Sequence, residues 1–303
     1  MPKIDLHAHS TCSDGTNTPT ELLTKAGQMG IDVFALTDHD TVMGIDEARH
    51  TADELGIRLI NGVEISCQHT VTGGYGKHRE IDKIIHVVAL DFDDVTKMHT
   101  ALQALQDSRH QRGYLMVQKL GEILCDDTVD AQALSEHLWQ AVLIKAGGNA
   151  RAVGRAHIGQ VLYEMGYVHN VQAAFDKYLA DNKPAYVAID TISMADAVRL
   201  IHDCGGLAVL AHPTRYKLSS TRTQKLISDF AECGGDACEL PNNEPISTVD
   251  MVSRAIAKHG LLVSLGSDFH GSNMPWRKLG VTTKPKAGQV GVWTKFKPSV
   301  MVE

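Results

Sequence analysis

Short β-branched or apolar runs recur along the chain, at residues 3–9, 32–37, 58–65, 84–91, 207–211, 236–240 and 261–266. Runs of this length predict strands buried on both faces of a largely parallel sheet. Between most of them the apolar residues change to helical spacing. Thr18-Pro19-Thr20-Glu21 has the form of a capping box with proline at the first helical position. A helix is expected to start there, run to about Met29 and stop at Gly30. Others are expected from Ser247-Thr248-Val249-Asp250 to Gly260, and over residues 193–204, closed by Gly205-Gly206. Repeated strand–helix units predict an α/β barrel or a related wound sheet.

Residues 96–185 break this rhythm. They carry long helical patterns, including 98–124, and few strand signals. The pattern predicts a barrel built from residues 1–95 and 186–303, with 96–185 as a mostly helical insertion. The segment 68–83, with Gly73-Gly74 and Gly76, reads as a hairpin or mobile loop. The tail after Thr283 has little periodicity.

Composition narrows the class. The chain has 303 residues, of which 43% are hydrophobic, as in ordinary globular proteins. No apolar run is long enough to cross a bilayer, and the N-terminus has no signal-peptide pattern. Cys12, Cys67, Cys125, Cys204, Cys233 and Cys238 are scattered without a CxxC pair, and read as reduced thiols of a cytoplasmic protein. The formal charge of −7 argues against a general grip on long nucleic acid, but bound cations can reverse the field locally. Sixteen histidines are many for this length, and imidazole is the commonest metal ligand near neutral pH.

The polar clusters fall mostly where strands end. His7 and His9 alternate with Leu6 and Ala8, so both imidazoles share one strand face, with Asp14 just beyond. Thr37-Asp38-His39-Asp40 follows the second run and Glu64 closes the third. His86 lies inside the fourth, His212 ends the fifth in Ala211-His212-Pro213, and Asp268 and His270 follow the last. In α/β barrels the C-terminal strand ends build the functional face. Six histidines and three carboxylates could therefore converge there. Each has a plainer reading: His86 as a core histidine, His212 as a turn residue, Glu64 as an exposed strand end, Asp268 as a turn cap. Asp38 and Asp40 can cap a helix over 42–55, and for Asp40 that is the preferred reading.

Mixed histidine and carboxylate ligands without cysteine suit zinc, manganese or iron. The set exceeds what one ion takes, so two or three divalent ions are expected, with Glu64 bridging. Such sites fit hydrolysis of phosphate esters. Neither a G-x-S-x-G elbow nor a P-loop is present.

His7-Ala8-His9-Ser10, Ser13-Asp14-Gly15, Thr37-Asp38-His39-Asp40, Gly62-Val63-Glu64, Ala211-His212-Pro213 and Ser267-Asp268-Phe269-His270 resemble the motifs of the PHP (polymerase and histidinol phosphatase) metallophosphoesterases. The resemblance spans nearly the whole chain. It is closest to the bacterial stand-alone group acting on nucleoside 3′,5′-bisphosphates and, as 5′-to-3′ exoribonucleases, on short RNA. It implies a distorted (β/α)₇ barrel with a trinuclear site. The implied ligands are His7, His9, Asp14, His39, Glu64, His86, His212, Asp268 and His270, with Mn²⁺ the usual activator and Zn²⁺ or Fe also found. Arg155 and His157 lie in a segment resembling the family's basic substrate-binding stretch, and Arg215 follows a ligand closely enough to hold a second phosphate. Arg109 and Arg112 are weaker candidates, since exposure is the default on their amphipathic helix. The loop from Glu64 to His86 looks longer than is usual in the group, and His69 and His78 lie in it.

The expected activity is thus removal of a 3′-phosphate from a nucleoside 3′,5′-bisphosphate, with short 5′-phosphorylated RNA as a related substrate. A metal-bridged hydroxide would attack phosphorus in line, with Asp14, His212 and Asp268 as catalytic candidates. Two alternatives are a phosphatase of histidinol phosphate or another small monoester, and a non-catalytic PHP module. No membrane association or obligate protein partner is implied.

Overall fold

The computed structural model describes residues 2–73, 79–125 and 130–298. Its strands are β1 (Ile4–Asp5), β2 (Val33–Leu36), β3 (Arg58–Thr72), β4 (Glu80–Leu90), β5 (Ile192–Ser193), β6 (Leu207–Leu210), β7 (Ala237–Glu239) and β8 (Leu262–Ser264). The helices are α1 (Pro19–Gln28), α2 (Ile45–Leu55), α3 (Val95–Leu124), α4 (Ala131–Lys145), α5 (Arg155–Glu164), α6 (Val171–Ala174), α7 (Met194–Asp203), α8 (Ser220–Glu232) and α9 (Ile246–Lys258).

One sheet runs in the order β1-β2-β3-β4-β6-β7-β8, with β5 on β3. The strands β1, β2 and β3 are parallel, as are β6, β7 and β8, while β4 runs antiparallel to both its neighbours. The sheet curls until its two edges meet. Leu6 N donates to Leu265 O at 2.9 Å, Asp268 N to His7 O at 2.7 Å and His9 N to Phe269 O at 2.9 Å. This is a distorted α/β barrel. β1 is shorter than the run 3–9, because the Ala8 N–H bonds to the Thr37 hydroxyl (3.0 Å) in place of a backbone carbonyl. The two-residue β5 is too short to show as a periodic run.

The helices cover the sheet with narrow apolar stripes. α1 buries Pro19, Leu22, Leu23 and Ala26, and α7 buries Met194, Ala197, Val198 and Ile201, both at i, i+3, i+4, i+7. The Thr18 capping box forms as expected. Ser193 caps α7, but Pro245 precedes α9 and no side chain caps that helix. The helices α3 to α6 and the turn after them enclose a separate apolar cluster that includes Met116, Leu120, Leu138, Val142, Leu162 and Leu179. Residues 68–72 and 80–84 continue the β3–β4 ladder as a hairpin. His78 lies outside the described residues. Among them, no helix is long and apolar enough to cross a membrane.

Candidate metal centre

The strand ends, with Glu64 and His86 from within β3 and β4, bring all nine anticipated side chains together. Glu64 is the hub. Its Oε2 lies 3.3 Å from His7 Nε2, 3.2 Å from His9 Nε2 and 3.0 Å from His39 Nδ1. Its Oε1 lies 2.8 Å from His86 Nδ1 and 2.8 Å from His212 Nε2. Asp268 Oδ1 is 3.1 Å from His9 Nε2 and 3.4 Å from His7 Nε2. Asp14 Oδ1 is 3.2 Å from His270 Nε2 and 3.8 Å from His39 Nε2. Three sets of ligand atoms are close enough to hold an ion each: His9-Asp14-His39-His270, His7-His9-Glu64-Asp268 and His39-Glu64-His86. The sets share His9, His39 and Glu64.

Local chemistry fixes these positions. The 10–15 turn is pinned by Asp38, which accepts from Ser10 N (2.7 Å), Ser10 Oγ (2.6 Å) and Ser13 Oγ (2.6 Å). A β-carbon at Gly15 would sit 2.3 Å from His9 O, so only glycine lets this turn fold back and carry Asp14 to the histidines. A β-carbon at Gly266 would similarly strike His7 Cβ at 2.3 Å. His212 (φ 27°) and Asp268 (φ 52°) occupy left-handed backbone, strained for non-glycine residues. Strain of this kind clusters at functional sites.

The Asp40 expectation is corrected. Asp40 caps nothing: Gly44 precedes α2. Asp40 is fully buried at φ 53°, accepts from Ser66 N at 2.7 Å and pairs with Arg109. Arg109 is accordingly buried, not solvated, because the face of α3 that carries it packs over the strand ends. Asp38 is likewise a loop anchor, not a helix cap.

The electrostatics of the cluster favour positive charge among its carboxylates. Burial alone would raise the Glu64, Asp14 and Asp268 carboxyls, yet the surrounding histidines hold all three well below the carboxylate range. Burial alone would lower His9, but Asp268 and Glu64 push it up to about 10. Burial wins at His39, which falls to about 4 against the pull of Glu64 and Asp14. Without a cation, protons must balance the carboxylates. His7 Nε2, His39 Nδ1, Glu64 Oε2, His86 Nδ1 and His270 Nε2 are closed to solvent and lack hydrogen-bond partners. Imidazole and carboxylate lone pairs converging at 3.0–3.4 Å without hydrogen-bond geometry fit divalent cations.

The substrate candidates are placed unequally. Arg215 donates to Asp268 Oδ2. His157 is buried in the first turn of α5, where its Nδ1 accepts from Gly154 N (3.2 Å), and Gly154 packs directly on Asp14. Arg155 turns into the insertion, bonding Asp181 Oδ1 (3.1 Å) and standing over the Phe175 ring. Two contributors were not anticipated. Glu239 closes β7 with Oε1 2.7 Å from His7 Nδ1, and its Oε2 accepts from His212 N at 2.7 Å. Its place at the end of an apolar run is a signal the sequence carries, whereas Glu64 proves to lie within the longer β3. Arg277 donates to Asp268 Oδ2 at 2.6 Å, and no periodicity marks its loop.

A family model described as the PHP domain matches residues 5–192. The chain is 37% identical to a 5'-3' exoribonuclease of Haemophilus influenzae, over 97% of this chain and 99% of that one. It is 34% identical to a 3',5'-nucleoside bisphosphate phosphatase of Chromobacterium violaceum, over 93% and 92%. A solved Chromobacterium violaceum amidohydrolase, with bound sulfate and no metal, superposes with a TM-score of 0.82 at 30% identity, covering 97% of this chain and 95% of that one. The chain belongs to the PHP family. It is a metal-dependent phosphoesterase, a hydrolase of phosphoester bonds.

Proposed function

We propose that the protein removes the 3′-phosphate of nucleoside 3′,5′-bisphosphates and trims short 5′-phosphorylated RNA from its 5′ end. The observation that carries this reading is the linking of three ligand sets by the shared residues His9, His39 and Glu64. Its likeness to relatives bearing those two activities supports the substrate class.

His7, His9, Asp14, His39, Glu64, His86, His212, Asp268 and His270 would hold two or three divalent ions, with Mn²⁺ the proposed activator. Such ions supply charge to phosphoryl oxygens and make water acidic enough to react near neutral pH. The chain supplies the rest. Glu239 and Glu64 fix the rings of His7 and His212. Arg215 presents a guanidinium beside Asp268, suited to a phosphate. Asp14, His212 and Asp268 are the proposed catalytic side chains. We assign residues 96–185 as the substrate-facing insertion, carrying Arg155 and His157, on the barrel of 1–95 and 186–303. The proposed compartment is the cytoplasm.

The test is phosphate release from adenosine 3′,5′-bisphosphate with Mn²⁺, with AMP identified as product. Release that disappears in Asp14→Ala supports the assignment. No release from metal-loaded protein, with turnover of histidinol phosphate instead, would replace it with a small-monoester phosphatase.

A further inference from the structure

Arg215 and Arg277 share one carboxylate. Both donate through a terminal nitrogen to Asp268 Oδ2, Arg277 at 2.6 Å. The other oxygen, Oδ1, faces His9 Nε2 at 3.1 Å and His7 Nε2 at 3.4 Å. Asp268 therefore separates the imidazole cluster from a pair of guanidiniums.

The local charge does not close. Arg109 is matched by Asp40, Arg155 by Asp181 and Arg151 by Asp107. Arg215 and Arg277 face a single negative charge that His7, His9 and His270 also draw upon. Arg277 Nε is closed to solvent and lacks a hydrogen-bond partner, a costly state for a cationic donor. Both side chains nevertheless stay partly open, at 26% for Arg215 and 18% for Arg277, and each bonds Asp268 through Nη1, which among the described residues leaves Nη2 of each fork without a carboxylate. Planar forks with spare donors beside a cation-binding cluster suit the oxygens of a phosphoryl group.

We infer that Arg277 and Arg215 form a clamp for the substrate phosphoryl group beside Asp268. This rests on the phosphoester reading above. Asp268 holds the two guanidiniums in place before substrate arrives. The phosphoryl oxygens then take the donors that Asp268 leaves free. Charge that grows on those oxygens in the transition state is met by groups already in position, so loss of Arg277 lowers kcat as well as raising KM.

Calorimetric binding of inorganic phosphate to the Mn²⁺-loaded protein tests this, comparing wild type with Arg277→Ala and Arg277→Lys while bound metal is counted by mass spectrometry. Arg277→Ala should bind phosphate about ten- to a hundredfold more weakly at unchanged metal content, with partial recovery in Arg277→Lys. Unchanged phosphate affinity at full metal content overturns the clamp. Loss of metal together with phosphate affinity also overturns it, since Arg277 would then act only by holding Asp268. If Arg277→Ala fails to fold, Arg277→Gln, which keeps the stem and a donor, takes its place. The readout does not depend on the substrate: Arg277-dependent phosphate binding in a protein that leaves adenosine 3′,5′-bisphosphate intact supports the clamp and removes only the nucleotide assignment.

Discussion

Glu239 Oε1 lies 2.7 Å from His7 Nδ1, while its second oxygen accepts the backbone N–H of His212 at 2.7 Å. One carboxylate thus orients a ring on β1's continuation and the backbone at the end of β6. Such outer partners tune metal sites about 10- to 100-fold. Glu239→Ala should weaken Mn²⁺ binding by about that factor, measured by titration against a competing chelator. Unaltered affinity would mean that packing alone orients His7.

Asp14 and His270 face each other at 3.2 Å within one ligand set. Alanine at either should abolish turnover while the circular dichroism spectrum stays that of the wild type. Full activity in both variants with metal present would remove this set from the mechanism.

Metal uptake should release protons. His9 is held protonated up to about pH 10 by Asp268 and Glu64, and an imidazole must be neutral to bind a metal. At pH 8, below that value, filling the site should expel about one proton from His9, and affinity should fall as pH falls. Calorimetry in buffers of different ionisation enthalpy counts the protons. Zero release at pH 8 would contradict the charge balance described here.

The buried Asp40–Arg109 pair sets a stability test. Burial would raise the Asp40 carboxyl, but Arg109 overcomes it and holds the group below its ordinary 3.8. A depressed carboxylate stabilises the fold fully above its unfolded value, and that contribution fades as pH falls through the lower folded value. Arg109→Ala leaves Asp40 buried and unpaired, at a cost of about 3–5 kcal/mol near pH 7. The gap from wild type in urea unfolding should narrow on acidification, and adding Asp40→Asn should recover part of it. A gap that is the same at pH 4 and pH 7 would exclude the ion pair as its source.

Much of this site is legible in the sequence. His7, His9, Glu64 and His212 could be picked out because each interrupts or ends an apolar run, and barrel topology brings such ends together. Glu239 ends a strand too, but Cys238 and Leu240 beside it gave no histidine context. Asp40 looked like a cap because acidic residues before helices usually are caps. Its left-handed backbone and its partner Arg109, 69 positions away, are tertiary facts. Helical spacing showed where α3 is, but not that its polar side chains at Gln106 and Arg109 would be buried. Arg277 lies beyond the last periodic element, where pattern carries no information.

The reversed strand has a consequence for how this enzyme could diversify. β4 contributes His86 from mid-strand, locked to Ser66 on one side, with the ladder continuing outward through six further pairs to Thr72 and Glu80. The ligand's phase is therefore set close to the barrel, while the outer hairpin is docked on α8, where His69 Nε2 faces Asp229 Oδ2 at 2.9 Å and Gly73 O accepts from Arg222. Changes confined to that outer stretch would leave the pairing of His86 with Ser66, and so the ion-binding geometry, as it is. The register that fixes the ligand and the packing that fixes the outer hairpin are thus separate, so the hairpin can vary in sequence while the catalytic floor stays constant.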